Sequence, residues 1–283
     1  MLLFDLREPI NALSHGAGMM LALPVTWVLW KRCRELGNPE GQEPQWSSSR
    51  FQRIKALCML IFGITLIICY GVSAAFHGVR LSDEALYRLQ RLDHVGIYLL
   101  IAGTYTPVAW ALMRGSWSWG TLTTVWTVAL LCSFRVWRGG VMPIWVSTPV
   151  YLTLGWGALF CYFELAKTYS HSTLLPLPLG GVFYSIGAVL NLMQWPVLLP
   201  GVFGAHELLH FLVIAGSTCH IFFMVKVVVP SPASARLPVH VNPSRRALRA
   251  DHDGASQNRH HWLPHFPSQR RRLKGVLPLR SAK

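Results

Sequence analysis

The sequence predicts an all-α protein, a bundle of seven helices that each cross a bilayer. Composition is the first observation behind this: 52% of the 283 residues are apolar and 13% charged, with a mean hydropathy of +0.36. Soluble domains carry about 25% charged residues. The second is a recurrence of apolar runs near the roughly 20 residues needed to cross the hydrocarbon, at 10–30, 55–77, 93–113, 117–137, 143–163, 174–195 and 202–229. The third is the placing of Trp27, Trp30, Trp110, Trp117, Trp119, Trp137, Trp145 and Trp195 near the proposed ends, where indole rings settle at headgroup level.

Taken in order, the first run has no basic segment ahead of it and carries Asn11, Ser14 and His15 inside it, so it reads as a retained span and not a cleaved signal peptide. The second closes on Ser73 and His77, the third opens on Asp93 and His94, and the fourth closes on Arg135. Pro143, Pro149, Pro176, Pro178 and Gly180-Gly181 interrupt the ends of the fifth and sixth, residues that membrane helices tolerate. The seventh opens on His206, Glu207 and His210.

Cys33, Cys58, Cys69, Cys132, Cys161 and Cys219 form no CxxC pair and mostly lie within apolar runs, which suits small hydrophobes and not a disulfide frame or thiolate site. The expected division is a membrane domain over 1–229 and a disordered basic tail over 230–283, the latter rich in Pro, Ser, Asn and His and containing Arg270-Arg271-Arg272. Such a tail suits anionic lipid headgroups; no aromatic interleaving or folded module points to nucleic acid. His252, His260, His261 and His265 are at most a weak metal trap.

Ionisable groups inside spans are costly, so each is a candidate functional residue. Seven alternating spans bring Asn11, His15, Ser73, His77, Asp93, His94, Arg135, His206, Glu207 and His210 to one end of the bundle. His206 and His210 are four apart and share a helix face, and His77 at that depth supplies a third nitrogen. Three neutral imidazoles with an open fourth position is a catalytic zinc arrangement. His206 to His210 also satisfies HExxH, in which Glu207 is the general base of a metalloprotease. Asp93 is either a first-turn carboxylate favoured by the helix dipole or the group that holds or deprotonates a water. Ser73 shares a face with His77 and bonds either a substrate carbonyl or its own backbone. Asn11 and His15 share a face as supports for the ligands. His94 points about 100° from Asp93, His220 lies too far along its helix to join the ligands, and Arg135 defaults to snorkelling.

At these residues the chain resembles the hemolysin III family, within the superfamily of progestin and adiponectin receptors. The pieces are Glu8-Pro9-Ile10-Asn11 through His15 and Gly18; Ser73 to His77; Leu92 to Tyr98 running into Ala102 to Pro107; Gly180-Gly181 with Tyr184 and Gly187; and His206 to His210 with Gly216 and His220. The resemblance covers roughly 8–228. It implies a seven-helix fold, a zinc ion on His77, His206 and His210, and a water-associated Asp93 and Ser73 acting on ceramide-like amides. The hemolysin name implies a pore-forming, cytolytic activity.

The first expectation is a multi-pass membrane protein, in the plasma (inner) membrane if bacterial, whose zinc site hydrolyses an amide or ester bond of a membrane lipid. The alternatives are a metal-stabilised sensor or receptor, a pore, and an HExxH intramembrane protease. Under seven spans, six Lys and Arg fall on the side of the N-terminus and 20 on the other, which places the metal end outside by the positive-inside rule. The resemblance implies the reverse orientation.

Overall fold

A computed structural model describes residues 6–35 and 45–233. Helices α1 (Pro9–Glu35), α2 (Gln45–Gly78), α3 (Asp83–Leu112) and α4 (Gly115–Gly139) are followed by α5 (Ile144–Trp156), α6 (Ala158–Leu165), α7 (His171–Leu174), α8 (Pro176–Met193) and α9 (Ala205–Phe223), the last continuing as a π turn over Met224–Val228. Among the described residues the only sheet-like feature is an isolated bridge between Leu199 and Phe203. The residues expected as the basic tail lie, beyond Ala233, outside the described residues.

Among the described residues, six helical segments are long and apolar enough to cross a membrane: Pro9–Glu35, Ser49–Gly78, Asp83–Leu112, Ile144–Leu165, His171–Met193 and Ala205–Val228. The remaining expected span is α4, 25 residues long but diluted by serines, threonines and glycines. All-α architecture and a roughly seven-helix bundle are therefore observed. The fifth and sixth spans are each broken: the sixth between α7 and α8 at Leu175, next to Pro176, and the fifth between α5 and α6 at Gly157, a residue not among the expected interruptions, while Pro149 lies inside α5. A break in a membrane helix strands backbone carbonyls. Here the Tyr105 hydroxyl of α3 lies 2.9 Å from both the Leu154 and Gly155 carbonyls and donates to them.

Helix neighbours run α1 on α2, α2 on α3, α3 on α5, α5 on α8, α8 on α9 and α9 back on α1, while α4 packs on α3. The ring closes between the first and last helices. Its outer surface carries Leu21, Phe134, Phe160, Phe163 and Met193, all more than 60% exposed, the reverse of a soluble surface and the expected one for lipid contact. Trp27, Trp117, Trp119, Trp137, Trp145 and Trp195 are exposed as well, in keeping with an interfacial belt. The core between α1, α2, α3 and α9 is built on Leu29, Met59, Phe62, Leu66 and Phe223.

Helix α2 starts ten residues ahead of the expected second span, and a charged residue at the start of that span is buried. Helix α2 begins at Gln45, so Lys55 lies inside it and is fully buried. Its Nζ donates to the Val229 and Ser231 carbonyls, each at 2.7 Å. That ammonium satisfies carbonyls left over where the last helix ends.

Candidate metal centre

The end of α2 is tied down by the segment that enters α1. The backbone N–H of Arg7 donates to Gly78 and that of Glu8 to His77, at 3.3 and 2.9 Å, and the Arg7 guanidinium donates to the Phe76 carbonyl at 2.5 Å. These donors meet the carbonyls that every helix C-terminus leaves unpaired. The same backbone pairing sets the Glu8 carboxylate beside the His77 ring, where Oε2 accepts from Nδ1 at 2.5 Å.

Across the ring, α9 presents His206 and His210 one turn apart. The metal-capable atoms of His77, His206 and His210 all lie within 4.8 Å of one another. His77 and His210 are buried, each 3% exposed, so the nitrogens face the bundle interior. Of the expected ligand set, all three are brought together.

Hydrogen bonds decide which nitrogen of each ring is free. His77 Nδ1 donates to the Glu8 carboxylate, which can only accept. His206 Nδ1 lies 3.1 Å from Asn191 Oδ1 of α8 and donates to it. Ser14 Oγ donates to the Asn11 carbonyl at 3.0 Å, so it meets His210 Nδ1, 3.5 Å away, as an acceptor. A neutral imidazole has one N–H; with Nδ1 donating, Nε2 carries a lone pair on every ring. Two of those lone pairs, on His77 and His206, face each other at 3.4 Å. Two acceptors so placed repel unless a cation or a proton lies between them.

Asn11 ties the surroundings together. Its Nδ2 donates to Glu207 Oε1 at 2.8 Å and to Glu8 Oε2 at 3.2 Å. Glu207 Oε2 accepts from the Gly204 N–H at 2.8 Å, capping the first turn of α9. Both oxygens of Glu207 are therefore engaged away from the triad. Hydrogen bonds from His77 and Asn11, with the charge of Arg7, outweigh burial and hold the Glu8 carboxyl down to about 2 from an ordinary 4.5. Glu8 is thus a carboxylate at any physiological pH.

His15 is not in the ligand set; its ring stacks on His210 at 3.8 Å. Asp93 is hydrogen-bonded to Ser73 and close enough to His77 for their charges to interact. His94 turns back along α3, its Nδ1 2.9 Å from the Gln90 carbonyl. Arg135 is exposed and folds over Gly139. His220 Nε2 is 3.3 Å from the Leu177 carbonyl, in contact with α8 and not with the triad.

Three contributors were not singled out from sequence. Glu8 was visible only as part of a motif, without a role; Ser14 shares its turn with Asn11; Asn191 has no spacing relation to anything in the site and becomes visible only when α8 meets α9.

A family model described as Haemolysin-III related matches residues 5–221. The Hemolysin-3 homolog of Bacillus subtilis is 29% identical over 238 residues, 80% of this chain and 98% of that protein. Hemolysin-3 of Bacillus cereus is 28% identical over 237 residues, 81% of this chain and 94% of that protein. The ADIPOR-like receptor IZH2 of Saccharomyces cerevisiae is 28% identical over 174 residues, 54% of each chain.

Proposed function

This chain belongs to the haemolysin-III related family as an integral multi-pass membrane protein, and we propose that its histidine triad holds a zinc ion used to hydrolyse an amide or ester bond of a membrane lipid. The bacterial relatives suit a plasma-membrane setting. The observation that carries the proposal is the pair of opposed lone pairs on His77 and His206. Zinc–imidazole bonds of about 2.05 Å at a tetrahedral angle separate two ligand nitrogens by about 3.3 Å, close to the 3.4 Å present. The sulfur-free set of three imidazoles is that of catalytic zinc sites, which keep a position open.

When bound, zinc supplies Lewis acidity that polarises a carbonyl and makes water nucleophilic near neutral pH. The chain's own residues do the rest. Glu8, Asn191 and Ser14 hold the three rings with Nε2 inward. Asp93, half-buried beside Ser73, takes the proton of the attacking water and returns it to the leaving nitrogen or oxygen. The Ser73 hydroxyl, 3% exposed, donates to the Asp93 carboxylate and turns to the carbonyl oxygen once Asp93 holds the proton, as charge builds there. Acyl chains stay in the bilayer against the apolar outer surface while the scissile bond is presented to the bundle end.

A sensor without turnover has one specific observation in its favour. The ligands bridge α2 and α9, which otherwise make little contact with each other, each packing instead on α1; metal binding would report directly on helix position. A protease is disfavoured because the Glu207 carboxylate is spent on Asn11 and the Gly204 N–H.

Metal content by mass spectrometry, measured on the protein beside His77→Ala, His206→Ala and His210→Ala, tests the site. About one zinc per chain, lost in all three variants, is expected; zinc unchanged in them overturns the assignment. With the site established, Asp93→Asn and Ser73→Ala should keep zinc and lose hydrolysis of lipid amides and esters. Ligand-dependent conformational change with no product from any lipid would favour the sensor.

A further inference from the structure

Beyond the triad, towards the other end of the bundle, a line of polar side chains continues through the interior. The His15 ring, stacked on His210 at 3.8 Å, meets the Tyr70 ring at 4.9 Å. Tyr70 lies beside Ser217 and Tyr184, whose hydroxyls are 2.9 Å apart, and the Tyr184 ring meets His220 at 5.5 Å. His15 is 5%, Tyr70 3% and Ser217 3% exposed.

These groups are badly satisfied as they stand. Neither nitrogen of His15, nor the Tyr70 hydroxyl, nor His220 Nδ1 makes a well-formed hydrogen bond among the described residues, Tyr70 having only Ser217 and His15 only the His210 backbone nearby. In the middle of a membrane such atoms have no solvent to fall back on, and leaving them unpaired is strongly unfavourable. A dry aromatic stack would explain the ring contacts, but phenylalanine would serve it better. The polar atoms are explained by water, which occupies protein interiors where two to four polar partners converge.

We propose that the space between α1, α2, α8 and α9 holds a file of ordered water running from His210 past His15, Tyr70 and Ser217 towards His220. The ten residues from His210 to His220 correspond to about 15 Å along the bundle. Along α1, Glu8 and Asn11 lie at the outer end and His15 deeper, so the file meets the triad from inside the bundle, opposite the side on which Glu8 sits. Water therefore reaches the triad from within even when a lipid covers its outer mouth. The hydration itself does not depend on whether the triad hydrolyses anything, and its test reads hydration alone.

Brief X-ray radiolysis oxidises side chains that touch bound water, and the sites are read by mass spectrometry. It would be applied to the full zinc-supplemented protein in lipid nanodiscs. After normalisation for intrinsic reactivity, His15 and Tyr70 should be oxidised about ten-fold faster than Phe62, a residue equally buried but in the apolar core, because ordered water contacts only the former. Rates for His15 and Tyr70 no higher than for Phe62 would overturn the proposal, and this comparison needs no variant. Ser217→Val, at unchanged zinc content, should lower the Tyr70 rate several-fold; an unchanged rate would exclude Ser217 from the file and break its continuity.

Discussion

Removing the Glu8 carboxylate should weaken zinc binding more than removing any other residue that supports the ligands. Glu8→Ala deletes the acceptor of His77 Nδ1 at 2.5 Å but leaves the backbone N–H of residue 8 bonded to the His77 carbonyl at 2.9 Å, so the chain stays in place. Supporting partners of this kind are worth 10- to 100-fold in metal affinity, or about 1.4–2.7 kcal/mol. A charge-assisted bond is roughly twice as strong as a neutral one, which puts Glu8→Ala near about 100-fold. Asn191→Ala, losing a neutral bond of 3.1 Å, should cost about ten-fold. Ser14→Ala, losing a contact of 3.5 Å at the limit of a hydrogen bond, should cost less than about three-fold. Competition titration against a chelator of known affinity, with bound zinc counted by mass spectrometry, reads all three. Wild-type affinity in Glu8→Ala, or a larger loss in Ser14→Ala, would refute the orientation of the rings by their Nδ1 partners.

Glu207→Ala should retain zinc while lowering thermal stability by about 0.5–2 kcal/mol, the cost of a lost helix cap; loss of metal or a selective loss of peptide cleavage would restore the HExxH reading. His94→Ala should leave zinc content untouched, because its Nδ1 is directed at the Gln90 carbonyl, and a drop to the level of His77→Ala would show that the ring turns inward. Lys55→Met strands the Val229 and Ser231 carbonyls, costing about 1–3 kcal/mol, and hydrogen exchange across 224–231 should accelerate; unchanged exchange would mean another donor takes over. Gly216→Ala places a Cβ 2.7 Å from the Tyr184 ring, so it should destabilise the α8–α9 pairing by about 1–3 kcal/mol, seen as a lower melting temperature than wild type.

The helical spans were legible because each is a long apolar run, and the triad because His206 and His210 share a helix face while span alternation returns His77 to their depth. The start of α2 was not: the helix begins ten residues ahead of the apolar run, and only packing against the end of the last helix makes the buried Lys55 ammonium tolerable. The partners that orient the rings were harder still. Asn191 stands 15 residues before His206, on another helix and across a turn whose path no local spacing describes. Glu207 was legible as part of HExxH, but its carboxylate is drawn away by Asn11 and the Gly204 N–H, contacts that local pattern alone does not contain.

The ligands and their supports come from both extremes of the membrane domain, with Glu8, Asn11 and Ser14 at its beginning, His77 on α2 and His206 and His210 on its last span. A nascent chain that has released six spans into the bilayer owns one of the three imidazoles and cannot retain the ion. Metal uptake at the proposed site would therefore follow closure of the ring by α9. A chain truncated before α9 would lack two of the three imidazoles and leave α1 and α8 without their shared neighbour.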